Sequence, residues 1–245
     1  MSIKNQVLTD AMSKARSMPE GMEQILAEYV GSQSADLEAI ATAALPLEIV
    51  RLRDAADFYQ EECYRSSTNR AFLSGCIMAA AALECQLLIL AFFNEDDVLQ
   101  TSVYKNRKHQ IGKASLTQLQ FHELIALIKH FGWLPPGLIE PKWKSFLAAH
   151  RDFLTKVSSP DSGSLRKLPD DPGEAYFKFM QGVRNSIHGG RFVRSDSSPN
   201  RDQFDSACRT AILVYEELKE ALAVQMFKDG YKMKRTRIRG FGASS

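Results

Sequence analysis

Apolar positions along this 245-residue chain recur at three- and four-residue spacing, and no run of strict alternation is bounded by hairpin dipeptides. Long stretches favour Ala, Leu, Glu, Gln and Met, which are good helix formers. The pattern predicts an all-α protein. Up to residue 44 the helical patterning is patchy, broken at "SMPEG" and "VGSQS", with Ser34-Ala35-Asp36 placed to cap a helix ending near Ala44. Pro46 marks a boundary or a first helical turn. A polar helix is expected from Leu47 to about Arg65, and an apolar one from Asn69 to Phe93. "NEDDVLQTSVYKNRKHQIGKAS" reads as a polar connection. Ser115 is placed to cap the next helix, in which Leu116, Leu119, Leu124, Ile125, Leu127 and Ile128 recur at helical spacing and which Pro135-Pro136-Gly137 would end. "KWKSFLAAHRDFLTKV" predicts a further amphipathic helix, and Ser158–Gly173 a loop dense in turn residues. "EAYFKFMQGVRNSIH" predicts a helix stopped by Gly189-Gly190. Asp202 is placed to cap the last long helix.

Composition changes this picture little. The chain is 44% hydrophobic, enough to bury a core, and its formal charge of +2 says nothing decisive about partners. Basic residues do collect, in "YKNRKHQIGK" with Lys105, Arg107 and Lys108, and in Lys228–Arg239. The second run reads as a solvated, poorly ordered end, or as a contact to a phosphate backbone. Four cysteines, Cys63, Cys76, Cys85 and Cys208, form no CxxC pair, which suggests reduced, buried thiols in a cytoplasmic protein. Ala71–Phe93 is long enough to cross a bilayer. Glu84 and Gln86 would then lie near mid-bilayer, where a carboxylate is costly. The segment is therefore expected to be a core helix, covered by neighbours on most sides, with no membrane role.

Several chemistries are excluded by motif. The five histidines form no HExxH and no clustered Cys/His spacing, so no metal or cofactor is expected. There is no Walker-type loop, no GxGxxG and no GxSxG elbow. His122 and His130 lie two turns apart and read as surface or packing positions. The remaining candidate is "RNSIHGG". Arg184 and His188 are four residues apart, so a helix would present both on one face. A basic helix end favoured by the macrodipole would account for both. So would a phosphodiester site. A guanidinium holds phosphate in a bidentate fork, and an imidazole moves a proton near neutral pH. Asn185 would orient the imidazole or bond a phosphate oxygen. Glu84 needs a partner inside its apolar helix, either any available cation or Arg184 itself. Arg191 and Arg194 are candidate phosphate contacts, or ordinary loop arginines.

"VRNSIHGG" resembles the motif of HEPN domains, in which an Arg, usually followed by a polar residue, precedes a His near a helix end. "FLSGCIMAAAALECQLLIL" resembles the first long helix of that family, "LTQLQFHELIALIKHFGWLP" the second, and "FDSACRTAILVYEELKEAL" the closing one. The resemblance covers roughly Tyr64 to Phe227. One departure stands out: three residues separate Arg184 from His188, where the family has four to six.

The resemblance implies an antiparallel helical bundle, HEPN-like, over residues 61–227, with extra N-terminal helices over 1–60 and a basic tail over 228–245. It also implies a metal-independent endoribonuclease, a toxin or an antiviral-defence effector. Arg184 would bind the scissile phosphate, His188 would act as acid and base, and Asn185 would be their polar companion. Expected partners are RNA, met also by Arg191, Arg194, Lys105, Arg107 and Lys108, a second copy in a homodimer, and an antitoxin or sensor protein. The other reading is a catalytically silent HEPN-like module that binds nucleic acid or a partner protein.

Overall fold

The computed structural model describes residues 45–111, 115–134, 139–158, 169–185 and 201–242. These are 88% helical and contain no strand, so the fold class is all-α. The helices are α1 (Leu47–Thr68), α2 (Phe72–Phe93), α3 (Glu95–Gln100), α4 (Ser102–Ile111), α5 (Phe121–Phe131), α6 (Glu140–Ser158), α7 (Pro172–Asn185) and α8 (Arg201–Gly242). A 3-10 turn, Leu116–Gln118, precedes α5. The chain divides into two compact units, Leu47–Met226 and a second made of Met1–Pro46 with Phe227–Ser245. The Leu47–Met226 unit holds both Glu84 and Arg184.

α2 is the central helix of that unit. Thirteen of its residues are buried, from Gly75 to Ala91, on every side of the helix. α1, α5 and α7 pack directly on it. At about 2 kcal/mol for each buried Leu or Ile side chain, Leu83, Leu87, Leu88, Ile89 and Leu90 of this helix contribute on the order of 10 kcal/mol of hydrophobic stabilisation. Its bilayer-like length and composition thus serve a protein core, as expected.

α1 and α2 form a helical hairpin. Arg70 turns the chain in the left-handed region (φ 59°). Its N–H donates to the Ser67 carbonyl at 3.0 Å, and Ala71 N–H to the Ser66 carbonyl at 2.8 Å. This is the two-bond Schellman ending of a helix, with arginine where glycine is usual. It makes α1 longer than expected and delays α2 to Phe72. Gly75 then lets three helices meet. A Cβ there would lie 3.0 Å from Ile212 Cδ1 on α8 and 3.4 Å from the Cys63 carbonyl on α1.

The expected polar connection after α2 is largely helical, as α3 and α4. Val98 and Tyr104 are buried there. Each apolar residue anchors a helix too short to display periodicity. Ser115 does cap, but it caps the 3-10 turn: its Oγ accepts from Thr117 N–H at 3.1 Å. α5 starts later, where the Glu123 carboxylate accepts from Gln120 N–H at 2.6 Å. α5 stops at Gly132 (φ 62°), ahead of the expected Pro135-Pro136-Gly137, which lies outside the described residues. Trp133 N–H closes the end on the Ile128 carbonyl at 3.3 Å, and its ring is buried.

α6 bends at His150, whose backbone is non-helical (φ −132°, ψ 25°). Trp143 of α6 packs edge-on to Tyr176 and tilted against Phe179 of α7. α8 begins at Arg201, so Asp202 lies in its first turn, where the macrodipole favours a carboxylate, and not ahead of it as a cap. α8 also continues in helix through Lys228–Arg239, the run expected to be an irregular end. Lys, Arg and Met are good helix formers, and that run holds no proline. The expected helix at Ser34–Ala44 lies outside the described residues.

Candidate functional site

α7 carries the candidate motif, and its start is set locally. Asp171 precedes Pro172, and the Asp171 carboxylate accepts from Glu174 N–H at 2.6 Å. An Asp cap followed by proline in the first turn is a strong helix start. The signal was present in "PDDPG", at the end of the stretch read as loop. From there Ala175, Tyr176, Phe179, Met180 and Val183 point into the core, all fully buried. The Tyr176 hydroxyl donates to the Ala211 carbonyl of α8 at 3.1 Å. Lys129 of α5 is hydrogen-bonded to Glu174, and this contact holds the Glu174 carboxyl below its ordinary value. Aromatic packing, the tyrosine bond and this ion pair together fix α7 against three other helices.

That fixed frame delivers Arg184 to the last turn of α7. Its guanidinium lies 2.7 Å from the Glu84 carboxylate of α2. Glu84 is therefore paired with Arg184 itself, the more specific of its two expected partners. The Glu84 side chain is 16% exposed and that of Arg184 38%. Burial raises the Glu84 carboxyl above its ordinary value, and the Arg184 charge opposes this without cancelling it. Water reaches the guanidinium and screens it, whereas the carboxylate is mostly desolvated. Arg184 thus has one edge held by Glu84 and part of its surface open to solvent.

Neighbouring Cys85 feels the same pair. Burial pushes its thiol up to about 11, with Glu84 adding and Arg184 opposing. Such a thiol is protonated at neutral pH and is no nucleophile. Cys63, Cys76 and Cys208 are buried free thiols as well.

The other candidate residues divide into two groups. Asn185 is half-buried and is the last residue of α7. His188, Arg191 and Arg194 lie outside the described residues. Lys105 and Lys108 are exposed on α4. Arg107 of α4 is half-buried and serves structure: its Nε donates to the Gln118 carbonyl at 3.2 Å and lies 3.8 Å from the Glu123 carboxylate. The buried Glu123 was not singled out from sequence, although Gln120 and Glu123 have the three-residue spacing of a capping box. His122 and His130 are exposed on α5.

Elsewhere in the unit an open groove of about 550 Å³ runs between α1 and α8, lined in part by Gln60, Tyr64, Arg65, Asn69, Glu216 and Lys219. Neither Glu84 nor Arg184 borders it. Among the described residues no group of three His, Cys, Asp or Glu side chains is placed to hold a metal. The chemistry available at the end of α7 is thus a partly exposed, carboxylate-braced guanidinium, followed in sequence by Asn185 and His188. No protein-family model matches the chain, no curated protein is significantly similar to it, and no solved structure matches it.

Proposed function

We propose that the protein is a metal-independent endoribonuclease of HEPN type, acting as a homodimer in a toxin or antiviral-defence setting. The observation that carries this reading is the Glu84–Arg184 contact of 2.7 Å at the end of α7. A carboxylate that is costly to bury braces an arginine whose remaining surface faces water. Structural ion pairs can do this too, but here the next residues are Asn185 and, three further on, His188. In the proposed reaction Arg184 binds the scissile phosphate and Glu84 fixes the guanidinium plane. His188 takes the proton of the ribose 2′-hydroxyl, which attacks the adjacent phosphorus, and a protonated imidazole, His188 itself or that of the second copy, supplies a proton to the leaving 5′-oxygen. Asn185 orients the imidazole. Arg191, Arg194, Lys105 and Lys108 extend the contact to the RNA backbone.

A second reading is favoured by the three-residue spacing of Arg184 and His188, one fewer than the family's shortest. Each residue removed turns a helical side chain by about 100°. A module with that geometry would bind nucleic acid or a partner protein without cleaving.

End-labelled RNA incubated with the protein in EDTA separates the two. The ribonuclease reading expects cleavage that Arg184→Ala and His188→Ala each reduce by at least about 100-fold, with unchanged circular dichroism. RNA retained but uncut by the folded wild type establishes the binding module instead.

A further inference from the structure

The outer face of α1 carries a pattern of which the fold uses only the last turn, where Arg65 pairs with Glu62 at 2.7 Å and, with Glu61, lines the groove toward α8. Leu47, Arg51, Asp54, Phe58, Glu61 and Arg65 succeed one another at alternating steps of four and three residues, and all six are exposed. This is the spacing of a coiled-coil seam. The opposite face already packs on α2 through Ile49, Ala56 and Cys63. Leu47 and Phe58 are 59% and 55% exposed, so two large apolar side chains stand in water on an otherwise charged helix. Among the described residues neither Arg51 nor Asp54 has an ion partner.

The order of these residues is self-complementary. A two-fold axis crossing α1 midway between Leu52 and Arg53 sets Leu47 opposite Phe58 of the partner subunit, and Arg51 opposite Asp54 of the partner subunit. An isologous contact forms each pair twice, giving two apolar layers outside two ion pairs. The alternatives are worse. A parallel pairing stacks Arg51 on its own copy and Asp54 on its own copy, like charge on like. An antiparallel pairing shifted by one heptad keeps a charge match, Arg51 with Glu61, but sets Phe58 against Asp54 and Leu47 against Arg65. One orientation and one register therefore match apolar with apolar and acid with base.

We propose that this face of α1 is a self-association surface, in which two copies of the chain pair their α1 helices antiparallel about that axis. The contact spans about three helical turns, so association is weak, with a dissociation constant on the order of 10–100 µM. It does not depend on the ribonuclease reading, because it uses neither Arg184 nor His188.

Sedimentation equilibrium of the full chain, over about 1–300 µM, tests it. A monomer–dimer equilibrium is expected. Arg51→Asp alone, or Asp54→Arg alone, sets like charges opposite each other and weakens the dimer about tenfold or more, while R51D/D54R together restore it to within about threefold. These positions are exposed, so folding is preserved, and circular dichroism checks that. As a second measurement, R51C/D54C under mild oxidation should form a disulfide-linked dimer that the wild type, with its buried thiols, does not. A chain that stays monomeric at every concentration and does not cross-link overturns the proposal. So does a dimer whose constant ignores the charge exchange, since its contact then lies elsewhere. RNA cleavage plays no part in either readout: a monomer that cuts RNA sinks the α1 contact and the homodimer but not the cleavage, and a charge-sensitive dimer that cuts nothing sinks the cleavage but not the α1 contact.

Discussion

Glu84 stands in the core helix α2 with 16% of its side chain exposed and Arg184 as its ion partner. Because burial outweighs the guanidinium, its carboxyl is held above the ordinary value of 4.5. The folded state therefore keeps this proton to higher pH than the unfolded chain does. Below that ordinary value the group costs no stability. As pH rises through the raised folded value, the chain must fold around an ionised carboxylate, and stability is lost. Glu84→Gln is therefore expected to melt no lower than wild type at pH 8, with the difference narrowing toward pH 4. Thermal melts across that range decide it. A large drop for E84Q at pH 8 would make the pair a stabiliser, and would remove the case that Glu84 is retained to hold Arg184. The need for a partner was legible from one carboxylate in an apolar run. That the partner is Arg184, a hundred positions away in sequence, came from the packing of α7 on α2.

At the scale of elements, the long helices were legible and the short ones were not. α5 and α7 present many apolar positions at helical spacing, so periodicity reveals them, whereas α2 is revealed by a long run that is apolar on every side. α3 and α4 span only 6 and 10 residues, and charge dominates both. A helix so short is marginal alone and forms because its few apolar side chains find a core. Helix ends also depended on geometry. Gly132 ended α5 before the prolines, and Arg70 adopted a left-handed turn that its residue type does not announce. Gly75 is where three elements meet. A side chain there strikes Ile212 on α8 and the backbone of α1. Gly75→Leu should cost about 2 kcal/mol, lowering the melting temperature by roughly 4–8 °C. A melt unchanged by G75L would mean that α1 and α8 do not close over α2 as described.

At the scale of the whole unit, one core links α1, α2, α5, α6, α7 and α8. The four cysteines lie in three of these helices and are all buried. Burial pushes both Cys63 and Cys85 up to about 11, and the hydrogen bond to Cys208, together with burial, holds the Cys76 thiol well above its ordinary value. At pH 8 the native protein should therefore leave all four thiols unreacted with a disulfide reagent, and expose all four once denatured. A thiol that titrates rapidly in the native state would show that part of the core opens.

The sequence by itself determined the helical class, the core role of Ala71–Phe93, the buried thiols and the candidate chemistry at Arg184. Each is a local property: apolar spacing, the cost of a charge in an apolar run, the reach of neighbouring side chains on one helix. Only the tertiary structure decided that Glu84 meets Arg184, that Arg107 is occupied by Gln118 and Glu123, and that the seam on α1 faces outward. Those depend on which helix faces pack together. Packing is a balance of burial and shape over the entire unit, and periodicity within one helix does not carry it.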